Sequence, residues 1–224
     1  MIAHTPTQKF PRLKFNEIDY PESDGEPMAE TDSHLTLIAY LLAMLRSFFE
    51  SREVYVGGNM LMYYEEGDPT QCVAPDLFVV FNTTPERRRS WFIWKENKAP
   101  DVIFEFTSKS TRLQDRGAKK GLYALLGVKE YFLFDPLDEY LDPRLQGFRL
   151  VNDSYQPIPL VNGALQSEML GLTLKAEEDM LTLTNTKTGK RLLPPTELSR
   201  VYSAAESEIE RLKAEITRLK SERE

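Results

Sequence analysis

Apolar residues recur at spacings of three and four through Leu35, Ile38, Leu41, Leu42, Leu45, Phe48 and Phe49, which predicts an amphipathic helix. Thr31-Asp32-Ser33, just ahead of it, supplies helix-start chemistry. The pattern then shortens. Residues 53–56 and 60–64 read as strands separated by Gly57-Gly58, and Glu66-Gly67-Asp68-Pro69 reads as a turn. Residues 77–81, 102–106 and 131–134 are short apolar runs rich in β-branched and aromatic side chains, the pattern of buried strands. Between the last two, residues 113–126 carry a helical pattern that stops before Gly127. Beyond Pro136 the chain turns hairpin-like. Residues 148–151 and 155–160 flank Asn152-Asp153, and residues 181–184 and 191–193 are predicted to flank a second turn at 185–190. After Pro194-Pro195, the last stretch lacks Gly and Pro and is rich in charge, so it reads as a separate helix. The order predicts a mixed α/β (α+β) chain: an N-terminal arm over residues 1–33, a domain over 34–195, and a C-terminal helix over 196–224.

Composition narrows the class. A chain of 224 residues with 41% hydrophobic and 11% aromatic residues can bury a core, which excludes wholesale disorder. One cysteine, Cys72, excludes an internal disulfide framework and a Cys-rich zinc site, and His4 and His34 lie far apart. No run approaches the roughly 20 apolar residues of a membrane span, and the N-terminal residues lack a signal-type apolar region. The expected location is the cytoplasm. The net charge is −7, yet residues 86–120 hold ten basic residues against five acids, a local +5 that can receive a polyanion. Within it, Arg87, Arg88 and Arg89 with Trp91 and Trp94 form a candidate phosphate-contacting stretch, with Lys109 and Lys120 as further candidates; a solvated surface over a tryptophan core is the competing reading.

Two acids stand out. Asp76 follows Pro75 at the start of one buried strand, and Glu105 lies inside another among Ile103, Phe104 and Phe106. A buried carboxylate without a partner is costly, so Glu105 requires a cation, a metal ion or a proton. Two carboxylates on adjacent strands suit Mg²⁺ or Mn²⁺, which take hard oxygen ligands. As two like charges, they also predict that removing either one stabilises the metal-free protein. The following helix carries Asp115, Lys119 and Tyr123 at spacings of four, hence on one face. A lysine there can orient a water or offset charge on a phosphate. The competing reading is an Asp115–Lys119 surface pair worth tenths of a kcal/mol.

Together, Pro75-Asp76, Glu105-Phe106-Thr107-Ser108-Lys109-Ser110-Thr111, Asp115-x-x-x-Lys119-x-x-x-Tyr123 and the segment from Gly127 to Pro136 resemble the Uma-type restriction endonuclease family of the PD-(D/E)XK nuclease superfamily. The resemblance extends over about residues 25–196, including Met28-Ala29-Glu30-Thr31 with His34 and the late Leu170-Gly171-Leu172. It implies a restriction-endonuclease-like core with a mixed central sheet flanked by helices, and metal-dependent hydrolysis of DNA. Asp76 and Glu105 would be ligands of Mg²⁺ or Mn²⁺, with the Phe106 backbone carbonyl adding an oxygen and Glu30 or Asp115 a further acid. The superfamily pattern has Lys two residues after the Glu, where this chain has Thr107. The resemblance places that lysine on the helix at Lys119, with Lys120 and Lys109 as alternatives. A catalytically inactive interaction module acting through its tail, and a hydrolase of another phosphodiester, are the rival functions.

The tail carries its own pattern. Tyr202, Ala205, Ile209, Leu212, Ile216 and Leu219 fall at a and d of a heptad, with Ile at a and Leu at d over its later part. Glu208 and Glu215 then fall at g, and Lys213 and Lys220 at the e positions they would meet across a parallel pair. This predicts a homodimer through a coiled coil; a helix folded back on its own domain is the competing reading.

Overall fold

The computed structural model describes residues 18–23, 32–108, 113 and 117–221. The first helix, α1 (Asp32–Phe48), opens with Asp32 in its first turn and buries Leu37, Ile38, Leu41, Met44 and Leu45. The strands that follow are β1 (Val54–Gly57), β2 (Met62–Tyr63), β3 (Cys72–Val73), β4 (Leu77–Phe81) and β5 (Trp91–Phe92). A single helical turn, α2 (Ile93–Glu96), precedes β6 (Val102–Phe106). Then come α3 (Ala118–Leu125), β7 (Glu130–Phe134), β8 (Leu145–Val151) and β9 (Ser154–Pro157). The strands β10 (Ala164–Ser167), β11 (Leu172–Glu177) and β12 (Met180–Asn185) lead to α4 (Pro195–Ser221).

The central sheet has six strands in the order β1-β4-β6-β7-β8-β9. Its only parallel pair is β6 with β7, joined through α3, and all other neighbours are antiparallel. A parallel pair needs a long crossover, and α3 supplies it. The central strands are buried on both faces, which is why they read as continuous apolar runs rather than alternating ones. Leu77, Val79, Phe104, Phe106, Phe132 and Phe134 face α1 and the sheet β10-β11-β12. Phe78, Val80, Ile103, Tyr131 and Leu133 face the opposite way, onto Tyr123 of α3 and Trp91. Glu105 belongs to this second face.

Differences from the sequence reading lie toward the C-terminus. The 148–160 hairpin forms, with Asn152 and Asp153 both at positive φ (47° and 61°), the backbone a two-residue hairpin turn demands. The turn predicted at residues 185–190 also forms: the Asn185 N–H donates to the Lys190 carbonyl (2.9 Å), the Leu192 N–H donates to the Leu183 carbonyl (2.8 Å), and Arg191 bridges Thr184, although residues 191–193 add no strand of their own. The full ladder of β12 is with β11, in register from Leu172↔Asn185 to Glu177↔Met180. Glu178 adopts positive φ (52°) at that turn, and a Glu-Asp pair is not a composition that announces a hairpin.

A buried ionic cluster joins the two sheets. Glu130 is fully buried, and its Oε1 accepts from Arg149 Nε (3.1 Å), Arg149 Nη2 (2.9 Å) and the backbone N–H of Glu168 (3.0 Å). Its Oε2 accepts from the Ser167 hydroxyl on β10. The root of α4 lies beside α1, where Leu198 and Pro195 line a groove with Met44, Ser47 and Phe48. Past its root the helix buries none of its residues, so it does not fold back on the domain. No helix among the described residues is long and apolar enough to cross a membrane.

Candidate active site

β4 and β6 run antiparallel with Leu77 opposite Phe104, so continuing the register one step sets Asp76 opposite Glu105. The Asp76 carboxylate is anchored there: its Oδ2 accepts the backbone N–H of Phe106 at 2.6 Å. Its backbone is held from the other side, where the Asn59 N–H donates to the carbonyls of Pro75 (3.1 Å) and Asp76 (3.3 Å). This approach requires Gly58, since a Cβ at that position would stand 2.7 Å from the Asp76 carbonyl oxygen. His34 of α1 reaches the same carboxylate, with Nε2 at 3.7 Å from Asp76 Oδ2 and its ring edge-on to Phe106.

Glu105 is 1% exposed, and both of its oxygens are engaged by α3. Lys119 Nζ lies 2.8 Å from Oε2, and Tyr123 Oη donates to Oε1 at 2.6 Å. The four-residue spacing that placed Lys119 and Tyr123 on one helix face delivers both to one carboxylate. Burial, then the Glu105 charge and hydrogen bond, push the Tyr123 phenol well above its ordinary value, so it stays a donor. Lys120, about 100° further round the helix, instead stands 3.4 Å over the Phe148 ring centroid. The helix phase therefore gives Lys119 to the carboxylate and Lys120 to an aromatic face. Thr107, where the superfamily pattern has lysine, is 2% exposed. Continuing the alternation of Ile103 and Glu105, its side chain shares their face, and its Oγ1 has no hydrogen-bond partner among the described residues.

Other expected residues fall elsewhere. Glu30, Lys109 and Asp115 lie outside the described residues. Arg88 is engaged internally: Nε bonds Glu96 at 2.6 Å, and the guanidinium covers the rings of Tyr55 and Trp91 at 4.7 and 5.0 Å. Arg87 and Arg89 are on the surface; Arg89 pairs with Glu22 at 2.9 Å. Trp91 is fully buried core, while Trp94 is partly exposed beside Tyr20 and Phe92. Of the residues that carry the resemblance, Glu130 is structural, as is Asp135, whose buried carboxylate accepts the N–H groups of Leu137, Tyr140 and Leu141. Sequence reasoning names neither Tyr123 as a direct partner of Glu105 nor His34 as a neighbour of Asp76; the i,i+4 relation of Tyr123 to Lys119 is the available signal for the first.

The mixed sheet thus presents a strand-end acid and a mid-strand acid side by side, with a lysine from the crossover helix. Residues 7–182 match the sequence family Uma2, described as "Putative restriction endonuclease", and the chain belongs to that family. Among solved structures it is similar to a nuclease of DUF820 from Anabaena variabilis, described as putative. The identity is 15% and the TM-score 0.46, over 64% of this chain and 76% of that one. No curated protein matches the chain.

Proposed function

We propose that the protein is a divalent-metal-dependent endonuclease that hydrolyses phosphodiester bonds in DNA. The observation that carries this reading is the convergence of Asp76, Glu105 and Lys119 at one end of two neighbouring central strands, from β4, β6 and α3. Asp76 and Glu105 would hold Mg²⁺ or Mn²⁺, with the Phe106 carbonyl adding an oxygen and Glu30 or Asp115 a further acid. The donor set fits. Both side chains offer hard carboxylate oxygens, on the strand-end Asp76 and the buried Glu105. Two carboxylates suit an ion that keeps several of its waters. The buried Thr107 hydroxyl adds an oxygen to the same face.

When bound, the ion would lower the pKa of its water and stabilise charge on the leaving oxygen. The chain's own residues do the rest. Asp76 is held by the Phe106 N–H and Glu105 by Tyr123, so neither must reorganise to act. Lys119 brings a positive charge to orient the attacking water and offset charge on the phosphate. Arg87, Arg89, Lys109 and Lys120 would meet DNA phosphates along the strand, with Arg88 supporting that surface from within.

The exposed seam of α4 supports a homodimer. Ile209, Leu212, Ile216 and Leu219 are each about half exposed on a helix that the domain does not cover. A second copy of α4 in parallel would bury them and set Glu208 and Glu215 against Lys213 and Lys220. Two sites in one particle are what cutting both strands requires.

The test is cleavage of supercoiled plasmid with Mg²⁺ or Mn²⁺, its loss on chelation, and its loss in Asp76→Ala and Glu105→Ala. A wild-type chain that dimerises and binds partners but never cuts favours the inactive interaction module, consistent with Thr107 at the usual lysine position.

A further inference from the structure

The two donors on Glu105 differ in kind. Tyr123 is fully buried, and its ring stands against Tyr131 of β7 with centroids 5.3 Å apart, so its hydroxyl has one rigid position. Lys119 reaches Glu105 on a flexible stem, and its side chain is 16% exposed. The phenol cannot leave Oε1 without unpacking the face of the sheet. The ammonium can leave Oε2 by rotating its own side chain toward solvent.

We infer that Tyr123 is the positioning residue of the site: it holds Glu105 Oε1 permanently, so that Oε2 is the one oxygen exchanged between the Lys119 ammonium and a divalent ion. The inference rests on the metal reading above and adds a division of labour to it. In the metal-free protein Lys119 is a counter-ion of the buried Glu105 carboxylate. An ion at Oε2 would leave the Lys119 ammonium at the edge of the site, free to face a phosphate or its attacking water. The acid thus stores the lysine until the ion arrives.

Opposite signs follow for the two partners. Tyr123→Phe keeps the ring and removes only the donor that orients the carboxylate. Loss of such an outer hydrogen bond lowers metal affinity by about 10- to 100-fold. Lys119→Met removes the competing cation and should tighten metal binding even though it costs activity. A Tyr123 that merely filled space would leave metal affinity unchanged in the phenylalanine variant.

The experiment is calorimetric titration of the full-length protein with Mn²⁺ alone, in wild type, Tyr123→Phe and Lys119→Met, beside thermal unfolding of each without metal. Weaker binding in Tyr123→Phe together with tighter binding in Lys119→Met supports the inference. Equal affinity in Tyr123→Phe, on a wild type that binds, overturns this inference and leaves the metal reading standing. Weaker binding in Lys119→Met overturns the exchange at Oε2, and it can be read even if Tyr123→Phe fails to fold. A wild type that takes up no Mn²⁺ overturns the metal reading, and this inference with it.

Discussion

The carboxylate of Asp76 accepts the backbone N–H of Phe106 at 2.6 Å, so the start of β4 is tied to the residue that follows Glu105. One hydrogen bond sets the two acids side by side. It also makes their separation a property of the sheet rather than of two independent side chains.

Asp76→Ala and Glu105→Ala should each abolish DNA cleavage, but their effects on stability should differ. As a bare pair of like charges, either removal is expected to stabilise. The structure points the other way for Glu105, because its loss removes a buried ion pair with Lys119 and the acceptor of the Tyr123 hydroxyl. Breaking a buried pair from one side costs about 3 kcal/mol or more. Thermal unfolding of metal-free Glu105→Ala should therefore show a clear loss; a rise would mean that repulsion from Asp76 dominates.

Lys119→Ala should lower turnover by about 100-fold or more, the scale of losing one charge-stabilising group. Lys120→Ala should leave turnover nearly intact and cost about 1 kcal/mol through its contact with Phe148. Single-turnover cleavage by the two variants decides the matter. An inactive Lys120→Ala beside an active Lys119→Ala would reverse the assignment.

Gly58→Ala places a methyl group 2.7 Å from a backbone oxygen of Asp76, which cannot rotate away. Relief requires moving the Asp76 backbone, at about 1–3 kcal/mol of stability. Cleavage should fall further than the folded fraction does, measured by circular dichroism and activity on the same sample. Full activity per folded molecule would show that the site tolerates displacement of Asp76.

Arg149→Ala leaves the fully buried Glu130 with its two guanidinium contacts removed. Denaturant unfolding should show a loss of about 3 kcal/mol. Cleavage per folded molecule should stay unchanged, because this cluster joins the sheets and does not reach Asp76 or Glu105.

Full-length protein should run as a dimer by light scattering at tens of micromolar, and a chain ending at Pro195 should run as a monomer. Ile209→Lys with Ile216→Lys, which puts charge into the a positions, should have the same effect as truncation. A dimer that survives both changes is held together elsewhere.

The buried strands and both helices around the site are legible in the sequence because burial leaves a local record. A strand covered on both faces must be apolar at consecutive positions, and Leu77 to Phe81, Val102 to Phe106 and Tyr131 to Phe134 are. Glu105 stands out against that record because a carboxylate inside such a run must be neutralised by something. The tail's heptad is local too, and α4 leaves those residues uncovered. What tertiary structure alone decides is which segments are neighbours. The adjacency of β4 and β6, the ladder of β12 with β11, and the choice of Lys119 over Lys120 all depend on how chain segments pack together. Periodicity reports how much of a residue is buried, not against what. The difference between an acidic pair that repels and one already balanced by a lysine and a tyrosine appears only when α3 is laid on the sheet.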